Sequence, residues 1–144
     1  KMKLLLGYDG SDSSKKALAM VIKYARDFNA EVHVLNSLIS EKVPPQSLKW
    51  RTPGEEENTN FVNDAKAQLE SAQKELEKNG IKAEKHFMVR GLEPGEDIVK
   101  LAKEINTDFI VMGIGKTSRV GKLFFGSNAQ YVILEAPCPV ITVK

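Results

Sequence analysis

The chain has 144 residues, 42% of them apolar and 28% charged, and its 21 basic and 19 acidic side chains leave a formal net charge of +2. This length suits one ordinary domain, and the near balance of charge does not suggest a general nucleic-acid binder. Cys138, the single cysteine, allows no internal disulfide or multi-cysteine zinc site. No run reaches the roughly 20 apolar residues of a membrane span, and Leu4-Leu5-Leu6 is too short for a secretory signal. The expectation is a single cytoplasmic domain over residues 1–144, with no membrane and no nucleic-acid partner.

Lys3 to Tyr8 reads as a buried strand closed by Asp9-Gly10-Ser11. Ser11 or Ser13 caps a helix whose apolar face carries Leu18, Ile22, Ala25 and Phe28. Val32 to Leu38 is the second strand, and Ile39 to Arg51, with Pro44-Pro45, reads as a loop. Thr52-Pro53-Gly54-Glu55 has the form of a helix start: a capping threonine, proline in the first turn and glutamate behind it. The buried stripe of that helix is Phe61, Ala65, Leu69, Ala72 and Leu76, and Asn79-Gly80 ends it, because both residues tolerate the left-handed backbone of a helix terminus.

Lys82 to Val89 is the third strand. Pro94 opens a helix buried through Ile98, Leu101, Ala102 and Ile105, and Phe109 to Met112 is the fourth strand. Ser127 and Gln130 form a capping box for a short helix through Glu135, and Pro139 to Val143 is the fifth strand. Four βα units with a closing strand and near-continuous apolar strands predict an α/β fold: a doubly wound parallel sheet with helices on both faces.

Ligands of such sheets bind outside the carboxyl ends of the strands, where the winding reverses. The richest segment there runs from Gly113 to Ser127. Glycines at 113, 115, 121 and 126 permit close backbone approach, Lys116, Arg119 and Lys122 bring positive charge, and no Asp or Glu occurs from Phe109 to Leu134. The N–H groups and dipole of the helix at Gly126-Ser127 suit a polyphosphate. By composition alone a glycine-aided surface turn with an ordinary serine cap fits equally well.

Other constellations are weaker. Gly115-Lys116-Thr117 mimics the end of a phosphate-binding P-loop, but Ile110 stands where that motif needs its earlier glycine. The G-x-G-x-x-G spacing of dinucleotide sites is absent after the first strand. A phosphoacceptor domain would need an acidic neighbour beside Asp9 and an aspartate where Val89-Arg90-Gly91 stands. His33 and His86 fall in separate strands without a third ligand at convincing spacing, so no metal site is expected. Cys138, between Pro137 and Pro139, has no activating base and reads as structural.

The spacing of Gly113 to Gly126-Ser127, with twelve residues between the glycines, resembles the nucleotide loop of the universal stress protein family: Gly, two residues, Gly, nine residues, then Gly-Ser or Gly-Thr. Tyr8-Asp9-Gly10-Ser11, Met112-Gly113, Leu123 to Asn128 and Cys138-Pro139-Val140 extend the similarity along essentially the whole chain. The second family glycine falls on Lys116, with Gly115 one place earlier; Gly115 then takes the close approach and Lys116 supplies a point charge.

The resemblance implies strand order 3-2-1-4-5 and an adenine-nucleotide site binding ATP, with magnesium as a possible companion. It implies Asp9 on the ribose and adenine side, Ser37 near a backbone contact to adenine, and Gly113, Gly115, Lys116, Gly126, Ser127 and Asn128 around ribose and phosphates. For Asp9, a purely local turn or cap is the competing role. The resemblance also implies a stress-response regulatory module and a homodimer joined through Pro139 to Val143, whose β-branched residues form a candidate sheet edge. Two other readings stand beside it: a dimeric interaction protein that binds no nucleotide, and a slow ATP hydrolase, for which no general base is evident.

Overall fold

A computed structural model describes residues 1–39, 60–90, 93–115 and 126–144. Five parallel strands form one sheet: β1 (Lys3–Gly7), β2 (Glu31–Ile39), β3 (Ala83–Arg90), β4 (Phe109–Gly113) and β5 (Val140–Val143). Their spatial order is β3-β2-β1-β4-β5, as expected. The described helices are α1 (Asp12–Phe28), α2 (Asn60–Lys78), α3 (Pro94–Ile105) and α4 (Gly126–Glu135).

Strand alternation sorts the core into two layers. Leu4 and Leu6 of β1, with Val32, Val34 and Val111, face α1 and α2 through Ala17, Leu18, Val21, Leu69, Ala72 and Leu76. Leu5, with Leu35 and Ile110, faces α3 and α4 through Ile98, Leu101, Ala102, Ala129 and Val132. Leu5 and Leu6 are each fully buried, and burial of one such side chain stabilises by about 1.5–3 kcal/mol.

Helix ends follow local chemistry. Ser11, not Ser13, caps α1: its Oγ accepts from Ser14 N at 3.3 Å. Asn29 (φ 51°) and Asn106 (φ 54°) take the left-handed conformation that stops α1 and α3, and Gly80 (φ 77°) follows α2. Pro94 sits in the first turn of α3. Two expectations need correction. Phe28, the last residue of α1, is 51% exposed and stacks on Tyr24 of its own helix. Helix α4 begins at Gly126, so Ser127 lies within its first turn and does not precede it as a cap. The helix start expected at Thr52 and the Ile39–Arg51 loop lie outside the described residues, apart from Ile39, which ends β2.

The winding reverses between β1 and β4: from β1 the chain builds outward through β2 and β3, then returns to lay β4 on the opposite side. The connections leaving these two strands diverge, and a hollow opens between them.

Candidate functional site

A cleft of about 650 Å³ lies at this divergence, within the usual range of small-molecule sites, about 300–1,000 Å³. Gly7, Tyr8 and Asp9 follow from β1, Leu35 to Ser37 from β2, Met112 to Gly115 from β4, and Gly126 to Ala129 from the start of α4. Pro94 and Ile98 close one side. Leu35, Ile98, Met112 and Ile114 give it an apolar wall, and backbone amides and short polar side chains supply the rest.

Of the eight residues singled out from the sequence, Asp9, Ser37, Gly113, Gly115, Gly126, Ser127 and Asn128 all line this cleft. They come from four separate stretches of chain. The eighth, Lys116, lies outside the described residues. Asn36 and Ile114 fall in segments expected at the carboxyl edge of the sheet, whereas Leu35, Pro94 and Ile98 were not anticipated as lining. In the sequence most of them carry only the apolar signal of core positions, and only their place at the carboxyl edge of the sheet marks them.

Asp9 stands at the rim, exposed, and its Oδ1 accepts from Ser11 N at 2.9 Å. The local turn and the rim position therefore coexist in one residue. The surrounding protein tends to raise the Asp9 pKa, but hydrogen bonds from the Ser11 side chain and backbone and from the Ser14 hydroxyl outweigh that effect and hold it below its ordinary 3.8. Asp9 is an ionised acceptor at neutral pH. Burial, and then this charge, raise the pKa of the neighbouring Tyr8, which keeps its phenol neutral.

The glycines serve three different ends. A Cβ on Gly113 would stand 2.4 Å from the Ser13 carbonyl carbon and 2.6 Å from Ser14 N, so its bare backbone is what lets the first turn of α1 rest on β4. Gly126 has φ 74°, and no described residue comes within 4 Å of its Cβ position; its requirement is conformational, a left-handed residue that turns the chain into α4. Gly115 likewise meets nothing within 4 Å among the described residues, and its backbone lines the cleft.

Ser37 and Asn128 have structural partners that the sequence did not disclose. Ser37 Oγ donates to Asp97 Oδ2 at 2.5 Å, and Asp97 is fully buried at the start of α3. Asn128 Oδ1 accepts from Gly95 N at 2.9 Å, tying α4 to the first turn of α3. A Cβ on Gly95 would come within 2.8 Å of the Asn128 carbonyl oxygen, so the two helices meet backbone to backbone here. Ser127, exposed, faces the cleft mouth from the first turn of α4, where helix N–H groups and the positive dipole end favour an anion.

The structure also brings the two histidines together, which their spacing in the sequence does not disclose. β2 and β3 are neighbours, and their register places His33 opposite Glu84 and Leu35 opposite His86. The two rings stack with His33 Nδ1 3.0 Å from His86 Nε2, and Glu84 supplies the third group that residue spacing concealed. Burial, and then the neighbouring His33, lower the His86 pKa from 6.5 against the pull of Glu84 and Glu104. Cys138 fits its expected inert role, since burial and then Asp108 push its thiol above 9.0. Among the described residues, no helix is long and apolar enough to cross a membrane.

Comparison with known proteins adds to this geometry. Residues 2–144 match the model of the universal stress protein family. A universal stress protein of Thermus aquaticus, named for its place 3′ of a sulfhydrylase, is 36% identical over 98% of this chain and 97% of its own length. The structure of the universal stress protein from Archaeoglobus fulgidus in complex with dAMP superposes with a TM-score of 0.72 at 34% identity, covering 100% of this chain and 98% of that one. A universal stress protein in complex with cAMP has the same TM-score at 26% identity, covering 99% and 97%.

Proposed function

The chain belongs to the universal stress protein family, and from that premise we propose that it is an adenine-nucleotide-binding regulatory module of the stress response, acting in the cytoplasm, with ATP as its ligand. The observation that carries this reading is the convergence of Asp9, Gly113, Gly115 and the Gly126–Asn128 turn on one cleft at the point where the sheet reverses. An ionised Asp9 accepts hydrogen bonds from ribose hydroxyls. The apolar wall of Leu35, Ile98, Met112 and Ile114 takes the flat base, with the backbone around Asn36 and Ser37 reading its edge. The first turn of α4, through Ser127, faces the phosphates. Related proteins bound to dAMP and cAMP support an adenine nucleotide as the ligand class.

The described cleft favours binding over turnover. Asp9 is the one carboxylate among its described lining residues, and its hydrogen bonds hold it as an acceptor below the range of a general base at neutral pH. We further infer a homodimer paired through β5. That strand ends the sheet and is only partly buried, and the helix leading into it exposes Leu134 at 79%.

The purified protein is denatured and the released small molecules are identified by mass spectrometry, alongside thermal shifts with ATP, ADP and AMP. Release of an adenine nucleotide, or a rise in midpoint with ATP, is the expected result. An empty site with no shift for any of the three leaves the dimeric, nucleotide-free interaction protein as the reading. Light scattering at micromolar concentration tests the dimer; a monomer mass refutes it.

A further inference from the structure

Beside the cleft, toward the amino ends of β2 and β3, lies a second concentration of chemistry. His33 and Ser37 are four residues apart on one strand, about 13 Å at strand rise, and His86 pairs with Leu35 of the cleft wall, so this cluster adjoins the apolar side of the nucleotide cleft along the same sheet. Glu31 and His33 share one face of β2, and the register brings Glu84 and His86 of β3 onto that same face. One nitrogen from each histidine and a Glu84 carboxylate oxygen lie within 4.8 Å of one another.

The detailed geometry suits a shared ion. His33 Nδ1 is 3.0 Å from His86 Nε2 and 3.7 Å from Glu84 Oε2. Zinc binds imidazole nitrogen at about 2.0–2.1 Å, so two nitrogens on one tetrahedral ion stand about 3.3–3.4 Å apart. The rings need only a few tenths of an ångström of parting to admit one. His33 Nε2 lies 3.3 Å from Glu31 Oε1; donating there, the ring keeps its proton on Nε2 and presents the Nδ1 lone pair to the ion. A carboxylate behind a ligating histidine is the usual device for orienting such a ligand. Lys82 Nζ, 3.9 Å from Glu31 Oε2, engages the other oxygen of that carboxylate. His33 is buried and Glu84 exposed, so the site has a fixed base and an open entrance at the sheet edge.

We propose that His33, His86 and Glu84 bind a divalent transition-metal ion of the zinc type, with Glu31 as the positioning residue and water in the fourth position. Two imidazoles and one carboxylate are a donor set that selects such ions over calcium or magnesium. The ion cross-links the edge strand β3 to β2.

The test is calorimetric titration of Zn²⁺ into untagged, chelator-treated full-length chain, with Co²⁺ as a spectroscopic probe. The expected results are one equivalent bound per chain, a raised thermal midpoint, and visible cobalt absorption of a tetrahedral site. His86→Gln abolishes binding, and Glu84→Gln, at an exposed position that folding tolerates, weakens it at least about tenfold. Glu31→Gln lowers affinity about 10–100-fold but leaves the cobalt spectrum in place, as loss of an orienting group and not of a ligand. Cys138→Ser changes neither zinc binding nor nucleotide affinity. The proposal is overturned by no saturable Zn²⁺ uptake at millimolar concentration, or by uptake undiminished in His86→Gln. Should His86→Gln fail to fold, undiminished affinity in Glu84→Gln overturns it instead.

Discussion

Gly113→Ala separates a packing role from a ligand role in the motif glycine. The added methyl would stand 2.4 Å from the Ser13 carbonyl carbon and 2.6 Å from both Ser13 O and Ser14 N, where ordinary contact begins at 3.4 Å. All three atoms are backbone, so no rotamer change relieves the clash, and α1 must lift by about 1 Å from a close-packed layer. That helix holds Ala17, Leu18, Val21 and Ala25 against the sheet, so lifting it loosens each of them. Overpacking of this kind costs about 3 kcal/mol, the upper end of its usual range. At about 2–4 °C per kcal/mol for a domain near this size, the midpoint falls by about 6–12 °C. The assay is calorimetry or urea denaturation of nucleotide-free protein, with Gly115→Ala as the matched control. Among the described residues no atom lies within 4 Å of a Cβ on Gly115, so its variant stays within about 0.5 kcal/mol of the parent. A Gly113→Ala protein as stable as the control would refute the reasoning that α1 packing, and not the ligand, requires glycine there.

Ser37→Ala removes one hydrogen-bond partner of the fully buried Asp97 and should lower stability by about 1–3 kcal/mol in urea melts without nucleotide; an unchanged midpoint contradicts it. Asp9 has a depressed pKa, so the stability it contributes is fully present above its ordinary 3.8 and is lost as pH falls through the lower folded value. The stability gap between parent and Asp9→Asn should therefore be flat from pH 5 to 8 and shrink below about pH 4; a gap that widens on acidification contradicts the sign. Asn128→Asp keeps the oxygen that accepts from Gly95 N and should leave the ligand-free midpoint near the parent. It places negative charge beside the phosphates, and ATP affinity should fall roughly tenfold, about 1.4 kcal/mol, by calorimetric titration.

Much of the architecture was legible because strand alternation and helix periodicity are local. Leu4, Leu5 and Leu6 announce a strand buried on both faces, and the Ala65, Leu69, Ala72 and Leu76 stripe needs only its own helix to be read. The order of elements marked only the carboxyl edge of the sheet; Asp9, Gly113, Gly126 and Ser127 were singled out there by the family resemblance, and all four line the cleft. What escaped depends on which strands become neighbours. His33 and His86 are 53 residues apart, and only the β2–β3 register brings Glu84 beside them. Ser37 and Asp97, 60 residues apart, meet only once α3 lies across β2. Phe28 misled because it keeps the helical period of the buried face, yet at the last residue of α1 its ring stacks on Tyr24 and stays half exposed.

The location of the nucleotide is tested most directly by amide NMR of the labelled chain titrated with ATP. Saturable shifts should concentrate at Asp9, Ser37, Gly113, Gly115 and Gly126 to Asn128, while the amides of Glu31, His33 and Glu84, toward the amino ends of β2 and β3, hold still. Saturating ATP that leaves the cleft amides in place, or moves another surface instead, contradicts the account.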